Sequence, residues 1–258
     1  MANLSKIQKL KPFLDEKVEL YNQFKFIATD PISIPHKFQK KEDIEIVGFL
    51  IATIAWGNRK SILNNGDKLC EILQFEPYDF ILNHTEQDLK ACKGFVHRTF
   101  NTEDLKYFIR ALKFIYEEHN GLESIFQKHQ TKNSLQPAIH QFKSIFFQLD
   151  HEKRAEKHVS DPEKNSAAKR INMFLRWMIR RDTNGVDFGI WKRLSPSLLS
   201  CPLDVHSGRI ARELGLLQRM QNDAKAVNEL DTNLRLLDPK DPVKYDFALF
   251  GLGAFENF

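Results

Sequence analysis

Glycine is scarce, with 11 in 258 residues, and stretches in which β-branched and polar residues alternate are few. A sheet-rich fold needs both, so the chain is expected to be all-α. Cysteine is scarcer still. Cys70, Cys92 and Cys201 stand far apart with no Cys-x-x-Cys pair. That spacing argues against a disulfide framework and a cysteine zinc site, and it suits a reducing, cytoplasmic setting. No apolar run approaches the roughly 20 residues that a bilayer-spanning helix requires, and Met-Ala-Asn-Leu-Ser-Lys at the start lacks a secretory apolar core, so no membrane partner is expected. His84, His97, His119, His129 and His140 are scattered without paired ligand spacing, so neither a metal nor another cofactor is expected.

What is present is ample for a buried core. Hydrophobic residues make up 42% of the chain, charged ones 28%, and phenylalanine alone contributes 21 side chains. The net charge of +4 is unevenly spread: residues 151–193 hold 11 Lys and Arg against 6 Asp and Glu, while the rest holds 27 against 28. A local basic stretch is the usual footprint of a phosphate partner, and it is also what a solvated helix face looks like.

Apolar spacing predicts one or two amphipathic helices over 4–28, then a proline-punctuated loop at 30–36. A helix from about Lys41 is apolar nearly all round and should be central to the core. It ends at Trp56-Gly57-Asn58-Arg59-Lys60, with Gly57 suited to the turn. Further helices are predicted over 61–75, 86–93, 102–118, 121–130 and 134–149. After a polar loop at 150–165, another runs from Ser166 to Arg181, with Asn165 or Ser166 as its cap. Asp187-Phe188-Gly189-Ile190-Trp191 lies in a loop over 183–200, and helices over Asp223–Leu237 and from Pro242 to Gly251 close the chain.

The most informative stretch is Cys201-Pro-Leu-Asp204-Val-His206-Ser-Gly-Arg209-Ile-Ala-Arg-Glu-Leu-Gly215. Asp204 occupies an N-cap position, Val205, Ile210, Ala211 and Leu214 follow at helical spacing, and Gly215 supplies the stop. The carboxylate faces the positive end of the helix dipole. Taken alone, this is a capped helix.

The same residues resemble the V-D-[TV]-H-x-x-R-[VI]-x-x-R-L-G signature of the helix-hairpin-helix DNA glycosylases, the superfamily of endonuclease III and the 8-oxoguanine DNA glycosylases. The whole chain also resembles a bacterial family of uncharacterised proteins grouped with them, through Ile51–Lys60, Lys169–Arg181 and Tyr245–Gly253. The resemblance implies two helical subdomains with a cleft between them: 1–40 with 201–258, and 41–200 with a hairpin-like element near 160–181. It implies that Asp204 is the catalytic carboxylate. Lys169 falls on the lysine of the motif L-P-G-[VI]-G-x-K-[TV]-A, which attacks the sugar in bifunctional members. The glycines of that motif are absent, since Glu163-Lys-Asn-Ser-Ala-Ala stands in their place, and the interval to Asp204 is longer than in common members. The cysteine count excludes the iron–sulfur cluster of the endonuclease III relatives.

The implied chemistry is coherent. Cleaving a glycosidic bond places positive charge on the sugar, which an ionised Asp204 stabilises. A neutral Lys169 amine could attack C1′, and its place in a helix first turn beside Arg170 disfavours the ammonium form. A flipped base needs an aromatic face, for which Trp177, Phe188, Trp191 and Phe255 are candidates, although in a chain this rich in phenylalanine each is more readily read as core. Asn165, Ser166, Arg170, His206 and Arg209 are candidate phosphate contacts, and Asn58 and Arg59 could fill the gap left by the extruded base. The expected function is therefore a DNA N-glycosylase, with or without AP-lyase activity, acting as a monomer on double-stranded DNA with a damaged base, an oxidised purine first. The rivals are a non-catalytic nucleic-acid-binding protein on the same scaffold and a helical interaction protein.

Overall fold

Helices dominate the computed structural model, which describes residues 2–256. In chain order they are α1 (Ala2–Lys9), α2 (Lys11–Tyr21), α3 (Lys41–Ile54), α4 (Arg59–Ile72) and α5 (Pro77–Asn83). A short antiparallel hairpin, β1 (Val96–His97) with β2 (Phe100–Asn101), then leads into α6 (Thr102–His119). There follow α7 (Leu122–His129), α8 (Gln136–Phe146), α9 (Lys169–Ile179), α10 (Val205–Glu213), α11 (Ala224–Leu237) and α12 (Tyr245–Phe255). The all-α expectation holds. No helix among the described residues is long and apolar enough to cross a membrane.

The chain divides into two units. One comprises residues 1–26, 130–137 and 161–258, and the other 27–129 and 138–160. The division does not fall at residue 200, as the sequence reading had it. Residues 161–200 group with the terminal helices, because α9 is tied to α12 by a buried ion pair between Arg176 and Asp246.

In the second unit α3 is the spine. Every residue from Ile44 to Ile54 is buried, which accounts for a helix apolar on all sides. Phe49 packs on Phe108, Phe142 and Phe146 with ring centroids 5.8, 5.4 and 5.3 Å apart. The hairpin turns into α6 through a capping box, in which Asn101 accepts from the Asp104 N–H and Asp104 accepts from the Asn101 N–H.

In the first unit, α12 packs against α2 and α10. Leu14, Val18, Cys201, Ile210, Leu230 and Leu249 are among the residues of its core. Gly251 permits the close approach of α2: a methyl group there would overlap the ring of Tyr21. The 183–200 segment is pinned to the end of α9. The N–H groups of Phe188 and Gly189 donate to the Trp177 carbonyl at 2.8 and 3.3 Å, and that of Trp191 donates to Met178 at 2.9 Å. Gly189 has φ +55, and a Cβ there would stand 2.7 Å from the Arg180 carbonyl oxygen, so this tuck requires glycine.

Candidate active site

Asp204 precedes α10 as its N-cap. Its Oδ1 accepts from the backbone N–H groups of His206 and Ser207 at 2.9 and 3.0 Å, and the Ser207 hydroxyl accepts from the Asp204 N–H at 2.9 Å. This is a capping box with serine as the returning residue. Asn222 donates to the Asp204 carbonyl at 2.8 Å and accepts from Arg212 at 2.6 Å, which ties the cap residue to the segment before α11. With Oδ1 committed to the helix, Oδ2 faces the ammonium of Lys169 at 3.8 Å; the two side chains are 24% and 32% exposed. The two residues singled out for catalysis are thus brought together.

Lys169 opens α9, and the chain reaches it through a turn built without glycine. Asp161 caps a 3-10 turn over Pro162–Lys164, and Asn165 then takes φ +63. Ser166 forms a bridge with Asp223, and Ala168 takes φ +47 in the N-cap position. Asparagine tolerates the left-handed region, whereas alanine pays roughly 1–2 kcal/mol for it. The Asn165 side chain donates to Asp223 at 3.2 Å, and the Asn165 carbonyl accepts from the Ala224 N–H at 3.3 Å. The Arg219 guanidinium, paired with Asp223, holds that carboxyl well below the usual range. Neither Asn165 nor Ser166 caps α9. Ser166 instead accepts from the Ala168 N–H at 3.2 Å, within the turn.

A second carboxylate, absent from the sequence reading, belongs to this site. Asp246 on α12 is 6% exposed and accepts from Arg176 Nη1 at 2.5 Å and from the Cys201 thiol at 3.6 Å. Burial pushes its carboxyl up, Arg176 opposes that, and the charges of Asp204 and Lys169 reach it with opposite signs. Burial also holds Cys201 as a thiol, which makes it a poor nucleophile. The ion pairs continue inward. Arg176 Nε donates to Asp187 at 3.2 Å, and Arg180 meets Asp182, Asp187 and Asp241 at 2.6, 3.1 and 3.0 Å. Arg181 donates to the carbonyls of Trp191 and Leu194 at 3.0 and 3.2 Å. Two of the 11 cations in 151–193, Arg176 and Arg180, are therefore buried in ion pairs, and the rest of that basic stretch is exposed or partly exposed. A signal for Asp246 was available: it is the one charged residue in the quoted stretch Tyr245–Gly253.

The aromatic candidates divide. Trp177 and Trp191 are fully buried, with Trp191 edge-on to Phe174 at 5.4 Å, so they serve as packing and present no face to a base. Phe188 is partly exposed beside the Trp177 carbonyl. Phe255 is 55% exposed and stacks on Tyr21 with centroids 5.8 Å apart.

The polar candidates also differ in state. Burial pushes the partly buried Arg170 guanidinium down to about 10, so it stays charged near neutrality. His206 is exposed on the first turn of α10, and Arg209 reaches Glu213 at 3.0 Å. Asn58 caps α4 by accepting from the Ser61 N–H at 3.1 Å, and Arg59 is the first residue of that helix; both lie in the second unit. Among the described residues no group of three or more His, Cys, Asp or Glu side chains could hold a metal ion.

No curated protein and no solved structure matches the chain. A family model described as "protein of unknown function (DUF2400)" matches residues 30–255, and the chain belongs to that family.

Proposed function

We propose that the protein is a DNA N-glycosylase with AP-lyase activity, acting on damaged bases, oxidised purines first. The observation that carries this reading is the approach of Lys169 Nζ to Asp204 Oδ2, 3.8 Å apart and both open to solvent. An amine nucleophile needs a nearby acceptor for its proton, and an electron-poor sugar carbon needs a nearby anion. This pair offers both. Asp204 takes a proton from the Lys169 ammonium, and the freed amine forms a bond to C1′ as the C1′–N bond breaks. The departing base keeps that electron pair and takes up a proton. The new ammonium then gives a proton to O4′ as the C1′–O4′ bond breaks, leaving a Schiff base, which loses a C2′ proton as the C3′–O bond breaks and the phosphate departs. Asn165, Ser166, Arg170, His206 and Arg209 flank the pair in sequence and would take phosphates, and a target base must leave the stack to reach it.

The test is borohydride trapping on duplexes that each carry one lesion, comparing the unaltered chain with Lys169→Gln and Asp204→Asn. An adduct on one lesion, absent in Lys169→Gln, is the expected result. Salt-sensitive duplex binding with neither adduct nor base release would replace this reading with a non-catalytic nucleic-acid-binding protein.

A further inference from the structure

One cation of the second unit finds no acceptor inside the protein. Arg98 is exposed at the tip of the β1–β2 hairpin, and its side chain makes neither an ion pair nor a hydrogen bond among the described residues. It lies instead over Trp56, with the guanidinium carbon 4.4 Å from the centre of that ring.

Arg98 is held there against local cost. The pairing of His97 with Phe100 leaves a two-residue turn, Arg98-Thr99, and Arg98 takes φ +54 at its first position. Glycine is the ordinary occupant of such a position. Trp56 carries a cost of its own, because its indole N–H is buried without an acceptor. Phenylalanine would pack without that cost, but tryptophan offers a cation the better face. Gly57, at φ +99, completes the seat. A Cβ there would stand 2.9 Å from Arg98 Nη1 and 3.0 Å from its Cδ, so the arginine lies across the glycine.

Two networks brace the seat. His97 is buried, its Nε2 meets the Trp56 carbonyl at 3.1 Å, and its Nδ1 meets the Asn65 amide at 2.9 Å. A carbonyl can only accept, so Nε2 donates and Nδ1 accepts, and both ring nitrogens are used. On the other strand, Arg154 donates to the Thr99 carbonyl and to Asp104 Oδ1, both at 2.7 Å, and His158 meets Asp104 Oδ2 at 3.2 Å. All of these residues belong to the second unit.

A guanidinium laid over a ring keeps its N–H edge for an outside ligand, and that fork matches two oxygens of one anion. The surroundings say which anion. No Asp or Glu occurs in 46–66 or in 89–102, the two stretches that meet at this seat, whereas Arg59, Lys60, Lys90, Lys93 and Arg98 do. Cations of one sign on two adjoining stretches suit a chain of anions better than a single carboxylate. We propose that Arg98, seated on Trp56, grips a backbone phosphate of nucleic acid. The inference rests on the DNA reading above for the kind of polyanion, and it adds a contact that the sequence did not single out.

The test titrates labelled duplexes, with and without a lesion, with the full chain over a range of salt, and reads fluorescence anisotropy. Arg98→Met keeps an apolar stem on Trp56 and removes the fork. It weakens binding equally for both duplexes and lowers the slope of log affinity against log salt by about 1. Arg98→Gly, which suits the positive φ and so does not threaten the hairpin, gives the same loss. Lys128→Met, an exposed change on α7, leaves affinity and slope as they were. Undiminished affinity and slope in both Arg98 variants would overturn the inference, and so would an equal loss in Lys128→Met, which would mark a general charge effect without a site. The trapping experiment is read separately. Binding that depends on Arg98 with neither adduct nor base release keeps this inference and removes the glycosylase reading. An adduct that forms without any dependence on Arg98 removes this inference alone, and no duplex binding by the unaltered chain removes both.

Discussion

Arg176 on α9 and Asp246 on α12 form a buried ion pair of 2.5 Å. The pair joins the helix that begins at Lys169 to the helix packed against α10, which Asp204 caps. A salt bridge so placed fixes the geometry of the site from behind, without facing solvent.

Removing one partner exposes the cost of burying the other. Arg176→Met should destabilise the protein by about 3–5 kcal/mol, since Asp246 loses its guanidinium partner and Asp187 keeps only Arg180. Denaturant unfolding measures this. Arg176→Met combined with Asp246→Leu should cost less than the two single changes added together, and strict additivity would show that the pair is not coupled.

Asp204 allows its capping role and its chemical role to be separated. Asparagine caps about as well as aspartate, whereas alanine loses roughly 1 kcal/mol. Asp204→Asn should therefore melt within a degree or two of the unaltered protein and lack base release, while Asp204→Ala should lack base release and melt lower. Thermal unfolding alongside a base-release assay distinguishes the two. Activity surviving in Asp204→Asn would leave the carboxylate as a cap alone.

Asp231 sets a pH dependence whose sign follows from its shift. Burial pushes its carboxyl up to about 6 in the folded chain against an ordinary 3.8, so folding favours the protonated form. That stabilisation is complete below the ordinary value and is lost as pH rises through about 6. Melting profiles between pH 4 and 7 should fall more steeply for the unaltered chain than for Asp231→Asn. Identical slopes would rule this residue out as their source.

Gly251→Ala should destabilise by about 1–3 kcal/mol, because the added methyl meets the Tyr21 ring where α2 lies against α12. Combining it with Tyr21→Ala should recover part of the loss. Full stability in the single variant would mean that the ring moves aside without cost.

The sequence was readable where one residue type has one local consequence. Pro202, Asp204 and Gly215 bracket α10, and the uncharged, largely apolar run from Ile46 to Ile54 announces α3, whose bounds are Lys41–Ile54. Legibility failed where the partner lies far along the chain. Asp182 and Asp187 lie close to Arg176 and Arg180 in the sequence, but the partners that draw both guanidinium groups inward against other helices, Asp246 and Asp241, lie more than 60 residues away. The same limit misassigned Trp177 and Trp191. An indole at a helix end and one in a loop look accessible until the loop is seen folded back on the helix. Helix α5 and the β1–β2 hairpin escaped for a different reason: each is too short for a periodicity to register. The turn into α9 contains no glycine, and Asn165 and Ala168 take its left-handed backbone instead.

The two oxygens of Asp204 are not interchangeable. Oδ1 is held by the amides of His206 and Ser207, so the carboxyl group cannot spin, and Oδ2 is held out toward Lys169 as if on a bracket. Folding thus acts as the tool that aims one oxygen at Lys169, and the aim is set afresh each time α10 forms. A cap is ordinarily the most replaceable part of a helix. Here, swapping it for serine or threonine would leave the helix intact and the bracket empty.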